Sequence, residues 1–257
     1  MSHSQVQAAL ALLIRLPEHH RGAELDAFVA RFALDPEEER TVRALAADPR
    51  VVKYGRSMAG VRGEVLRSQL RLSLRFLSPE VLDCLHRGLF EPDAVDVRFG
   101  DLSTRFLEFL ITDPRARRVL SREAPPFLTD ILRLEREQMR FRQELSVERW
   151  PAPPGSRLVH TAFRIVSLDY DIPRLMEALS APVGDEGEEG EEPELLVVAR
   201  RVTVLLVPHP SLPASRMFDI DAETVAFLRT EASGRRASRV PDTAPVLVEM
   251  GLLREGV

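Results

Sequence analysis

Through the first 150 residues, apolar side chains recur at intervals of three and four, the repeat of an α-helix with one face turned inward. Helix starts are written beside these runs. In Asp35-Pro36, Asp48-Pro49, Ser78-Pro79 and Asp113-Pro114, an oxygen able to cap an N-terminus stands directly before a proline suited to the first helical position. Glu37, Glu38 and Glu39 then place negative charge where the helix dipole favours it. Between Arg50 and Phe76 the positions Val51, Tyr54, Met58, Val61, Val65, Gln69, Leu72 and Phe76 trace one face of a long helix, with Gln69 its only polar member. A second long helix over 126–148 repeats the spacing with Phe127, Ile131, Leu134, Gln138, Phe141 and Leu145. Two such faces can pack on one another or on the shorter helices, which predicts a bundle.

The pattern changes at Trp150. Pro151, Ala152, Pro153, Pro154 and Gly155 support neither helix nor strand, and the domain boundary is expected there. Val159, Thr161, Phe163 and Ile165 then alternate as one face of a strand, and a short helix is expected over 173–179. Leu195 to Val207 reads as a strand or strand pair, and Arg216 to Ile220 as a shorter strand. Asp221 opens a helix carrying Val225 and Leu228, and a last helix over 243–250 is stopped by Gly251. The expected fold is α+β. An all-helical bundle occupies 1–150, a proline-rich linker 151–155, and a small mixed domain 156–257 with helices and an antiparallel sheet of about three strands. Residues 184–194 carry self-repelling acidic charge with no apolar residue, which predicts a disordered loop. Their spacing lacks the alternating ligands of a calcium loop.

Composition narrows the function. Hydrophobic residues make up 44% and charged residues 29%, within the range of globular domains. A net charge of -5 supplies no domain-wide cationic field for a nucleic-acid backbone, so nucleic acid is not expected as a partner. Cys84 is the sole cysteine, which rules out an intrachain disulfide or a cysteine-rich metal site and suits a reducing cytoplasm. The start of the chain lacks the cationic region of a signal peptide, and no apolar run approaches the roughly 18 residues of a membrane helix.

Candidate chemistry is sparse. His3, His19, His20, His86, His160 and His209 make no pairing at metal-ligand spacing, and adjacent His19 and His20 diverge by about a hundred degrees on a helix. Cys84 and His86 stand two apart, where helical side chains do not face each other. No phosphate-cradling glycine loop or nucleophile elbow occurs. Asp169 and Asp171 flank Tyr170 at a strand-to-helix junction, where capping accounts for them. Neither catalytic nor metal-ligating residues are therefore expected in this chain. Arg67, Arg71 and Arg75 recur every fourth residue, a basic stripe suited to an acidic partner surface.

Several segments in order carry a resemblance: Glu123 to Glu135, Pro154 to Val159, Leu168 to Leu179, Pro193 to Arg200, and a terminal helix followed by Gly251, Leu252 and Leu253. Together with Phe32 to Glu39 and Tyr54, they resemble the accessory proteins of multinuclear non-haem iron oxidative enzymes of the methanobactin-biosynthesis type. The resemblance implies a non-catalytic cytoplasmic subunit without a cofactor of its own, in a heterodimer with an iron enzyme. That enzyme modifies a ribosomally made peptide, often at cysteine, and holds the iron, while the accessory subunit captures the peptide's leader. The acidic insert and the short link from Val207 to Arg216 depart from the family's spacing, which places the peptide contacts in question.

An exposed strand can accept an extended leader as an additional strand. The edge is expected within 196–206 or 216–220, with Val198, Arg200, Val202, Val204, Leu206, Met217 and Phe218 as peptide-binding candidates and Arg67, Arg71 and Arg75 as partner-binding candidates. A second class is a transcription regulator with a winged-helix-like C-terminal domain, built from 221–233 and 241–251. Its loop Gly234 to Arg239 offers three arginines, fewer cations than DNA binding generally engages.

Overall fold

The Asp-Pro pairs start helices. In the computed structural model, which describes residues 3–15, 22–90, 102–147, 150–180, 197–209 and 215–254, the Asp35 carboxylate accepts from the backbone N–H groups of Glu37 and Glu38. Glu38 returns the bond by accepting from Asp35 N, completing a capping box. Asp48 accepts from Arg50 N, Asp113 from Arg115 N and Ala116 N, and Ser78 Oγ from Val81 N. The chain divides into two compact units, Met1–Pro126 and Phe127–Val257.

The first unit is helical among the described residues: α1 (His3–Arg15), α2 (Gly22–Val29), α3 (Pro36–Ala47), α4 (Pro49–Gln69), α5 (Arg71–Leu74), α6 (Pro79–Phe90), α7 (Leu102–Thr112) and α8 (Pro114–Glu123). Its core holds Leu13, Phe28, Val42, Leu66, Leu85, Phe106 and Leu110, each almost fully buried, and burial contributes roughly 1.5–3 kcal/mol for each large apolar side chain. α4 turns a different face inward from the one its apolar seam predicts. Tyr54 is 53% and Val61 43% exposed, whereas Gly55, Arg62 and Leu66 are buried. The reason is the approach of α1. A Cβ on residue 55 would stand 3.2 Å from the Ile14 carbonyl oxygen, and the Arg62 guanidinium donates to the Arg15 carbonyl at 2.9 Å, at the carbonyl-rich end of α1. The long helix expected through Phe76 also stops early, because Leu70 leaves helical geometry at φ -114° and ψ 47° before α5 begins.

The second unit contains α9 (Leu128–Val147), β1 (Arg164–Leu168), α10 (Ile172–Ser180), β2 (Val202–Pro208), β3 (Ser215–Asp219), α11 (Ala222–Ala232) and α12 (Ala244–Glu249). The strands form an antiparallel sheet in the order β1-β2-β3, so the fold is α+β. α9 belongs with this sheet, since it approaches both β1 and β3, and the division therefore follows Pro126 instead of coinciding with the proline-rich stretch 151–155. Its predicted seam is buried at Ile131, Leu134 and Phe141.

The register places Val166, Leu168, Val202, Val204 and Leu206 on one face of the sheet, the face along which α9 runs. On the opposite face Ile165, Leu205, Val207 and Phe218 pack with Phe227, Leu228 and Leu247 of α11 and α12. A strand buried on both sides needs apolar residues at consecutive positions, which β2 supplies from Val204 to Val207. The first strand begins later than the alternation from Val159 predicts: residues 158 and 160 make only isolated bridges, and Val159 is exposed. Gly251, at φ 76°, adopts the left-handed conformation that ends α12. The expected acidic loop 184–194 lies outside the described residues. Among the described residues, no helix is long and apolar enough to cross a membrane.

Candidate functional site

Sheet order decides which strand can accept another. β2 is hydrogen-bonded to β1 along one side and to β3 along the other, and Val202, Val204 and Leu206 are buried. These three candidates therefore cannot form a peptide-binding edge: their backbone is already paired and their side chains fill the core. Val198 and Arg200 are exposed in the non-strand segment before β2. The Val198 carbonyl accepts from Asp171 N at 3.2 Å, and Arg200 pairs with Asp171 at 3.4 Å.

Met217 and Phe218 lie on β3, whose five residues pair with β2 on the inner side. Among the described residues, no backbone hydrogen bond joins the outer side of β3 to another segment. Phe218 packs on the core of α11 and α12, Met217 is half-buried on the other face, and Arg216 and Asp219 are exposed. Phe218 thus anchors the strand, α9 and α10 approach it, and one row of its main-chain groups carries no backbone partner among the described residues. Hydrogen bonding continues past its end, where Ile220 N donates to the Thr203 carbonyl at 2.9 Å. β1 is the other outer strand, and Arg164 on it is bound by Glu144 of α9 and lies over the Trp150 ring at 5.6 Å.

Two buried carboxylates hold the surrounding loops. Asp130, 3% exposed on the first turn of α9, accepts from Asp169 N at 2.6 Å and Tyr170 N at 2.9 Å, tying the turn after β1 to α9. Asp171 in turn accepts from Arg174 N at 3.2 Å near the start of α10, in agreement with its expected capping role. Glu231, fully buried on α11, accepts from Arg157 N at 2.8 Å, Ala237 N at 3.0 Å and Ser156 Oγ at 3.2 Å. Burial alone would raise the Glu231 carboxyl, but these hydrogen bonds and the Arg157 charge outweigh it and hold the group below its ordinary value. Sequence spacing missed both acids because their partners lie far along the chain.

The partner-binding candidates Arg67, Arg71 and Arg75 are all exposed, but they do not share one continuous helix. Arg67 is on the last turn of α4, Arg71 begins α5 and Arg75 follows it, with the break at Leu70 between them. Cys84 is exposed on α6, whereas the His86 ring is pushed down to about 4 by burial, then by Arg62, against the opposing pull of Asp83. The imidazole is therefore neutral near pH 7. The His160 ring, lowered by burial, accepts at Nδ1 from Ala162 N at 3.1 Å. Among the described residues, no group of three or more histidine, cysteine or acidic side chains is arranged to hold a metal ion. No protein-family model matches the chain, and no curated protein matches it.

Proposed function

We propose that this chain is a non-catalytic accessory subunit that captures the leader of a ribosomally made precursor peptide along the outer side of β3. The observation that carries the reading is a short strand held to the core through Phe218, with its outer main-chain groups unpaired among the described residues. Such an edge can bind an extended peptide through the main chain, while neighbouring side chains select its sequence. The family resemblance supplies the rest of the proposal. The chain forms a heterodimer with a multinuclear non-haem iron enzyme that oxidises the core peptide, often at cysteine, and the iron belongs to that enzyme. Arg67, Arg71 and Arg75 offer exposed guanidinium groups to an acidic surface of that enzyme.

Co-expression with a multinuclear non-haem iron-enzyme candidate from the same genome, followed by size-exclusion chromatography with mass and iron determination, tests the assembly. Hydrogen exchange of the complex, with and without a candidate precursor peptide from the same genome, tests the edge. The expected result is a one-to-one complex, with leader-dependent protection of amides in β3. A chain that ignores both enzyme and peptide overturns the proposal. Salt-sensitive binding to duplex DNA through the exposed Arg235 and Arg236 would favour a regulator instead.

A further inference from the structure

The first unit contains a cavity of about 300 Å3 among α6, α7 and α8, at the lower end of the size range of small-molecule sites. Its chemistry is two-sided. Leu85, Phe109 and Val119 supply apolar wall, while Arg87 and Arg115 also line it, with side chains about half exposed, at 51% and 53%. Each arginine is steadied by a nearby acid, Arg87 by Asp83 at 3.1 Å and Arg115 by Asp113 at 3.3 Å. Exposed pairs of this kind are weak, and a guanidinium has five N–H donors, so an incoming carboxylate can share the two cations with the aspartates.

We propose that this cavity binds a small carboxylate with an apolar body, its hydrocarbon against Phe109 and Val119 and its charge between Arg87 and Arg115. The chemistry is common to a free medium-chain acid and to a peptide C-terminus ending in an apolar residue. An alcohol of the same length lacks the charge that the arginines recognise. This site is separate from β3 and does not depend on the leader-binding proposal.

Cys84 lines the same cavity, is exposed and is the only cysteine, so its reaction rate with uncharged N-ethylmaleimide reports occupancy in the intact chain. At matched ionic strength, 10 mM octanoate or an acetylated dipeptide ending in leucine is expected to slow that reaction about tenfold, corresponding to a Kd of about 1 mM. At about 3 mM, within the solubility of the alcohol, octanol is expected to slow it less than twofold where octanoate slows it about fourfold. Protection by octanoate alone assigns the free acid, and protection by the dipeptide alone assigns a chain terminus. In the double variant Arg87→Gln and Arg115→Gln, both at exposed positions, protection should disappear while the circular dichroism spectrum stays unchanged. Gly88→Leu is a second check, because a Cβ added at residue 88 would stand 3.1 Å from Phe109 Cζ and a larger side chain would intrude on the cavity, so protection should weaken. No slowing by either carboxylate in the wild-type chain, or equal slowing in the folded double variant, overturns the proposal.

Discussion

α4 and α9 are helices of 21 and 20 residues with an apolar position every third or fourth residue, but they bury different kinds of surface. In α9 the stripe through Ile131, Leu134 and Phe141 is core, and Phe141 meets the Trp150 ring edge-on at 6.2 Å. In α4 the stripe through Tyr54 and Val61 is largely outside, and a glycine, an arginine and a leucine face inward. Leaving an aliphatic side chain half exposed forgoes on the order of 1 kcal/mol. Closer approach of α1 and a satisfied Arg62–carbonyl contact offset that loss. The shape of the neighbour, as well as the hydrophobicity of the stripe, therefore selects the buried face.

The sharpest way to break this contrast is Phe141→Ala, expected to destabilise the second unit by about 3–5 kcal/mol through a core cavity, as read by urea unfolding. A loss under 1 kcal/mol would mean that α9 does not rest on that ring. Gly55→Val comes next. Its Cβ would crowd the Ile14 carbonyl, so a net destabilisation of about 1–2 kcal/mol is expected after the gain in helix propensity. Thermal unfolding would expose an error in this assignment if the variant were more stable than wild type. The smallest effect belongs to Val61→Ser, expected within about 0.5 kcal/mol of wild type by the same measurement, because the side chain is already 43% exposed. A core-sized loss there would show that the stripe is covered.

Local chemistry was the legible part of the molecule. An aspartate before a proline caps its own helix whatever lies beyond it, and Asp35, Asp48 and Asp113 do so. The α+β character and the three strands were legible too, from the alternation that ends in Ile165, the apolar run up to Val207 and the Met217-Phe218 pair before Asp221. Strand order was not, because a candidate edge depends on what pairs with it. The consecutive apolar residues Val204 to Val207 were nevertheless a signal of a doubly buried central strand, and they distinguish β2 from the more polar β3. Asp130 and Glu231 left no comparable trace. Their charges are acceptable in the interior only because distant backbone donors converge on them.

That convergence on Glu231 makes the second unit a proton-linked structure. Its carboxyl has a folded value below the ordinary 4.5, so the ionised form contributes stability that is fully present above the unfolded value and is lost as pH falls through the folded one. Protonation removes the charge that both oxygens share and turns one of them, Oε2 facing the Arg157 N–H or Oε1 facing the Ala237 N–H, into a donor, which puts the strain on the loops before β1 and after α11. Urea midpoints followed downward from pH 6 should fall more steeply in wild type than in Glu231→Gln, whose neutral side chain has no proton to gain. Acid thus acts on this unit by reversing the polarity of one interior contact, loosening two distant segments of chain together.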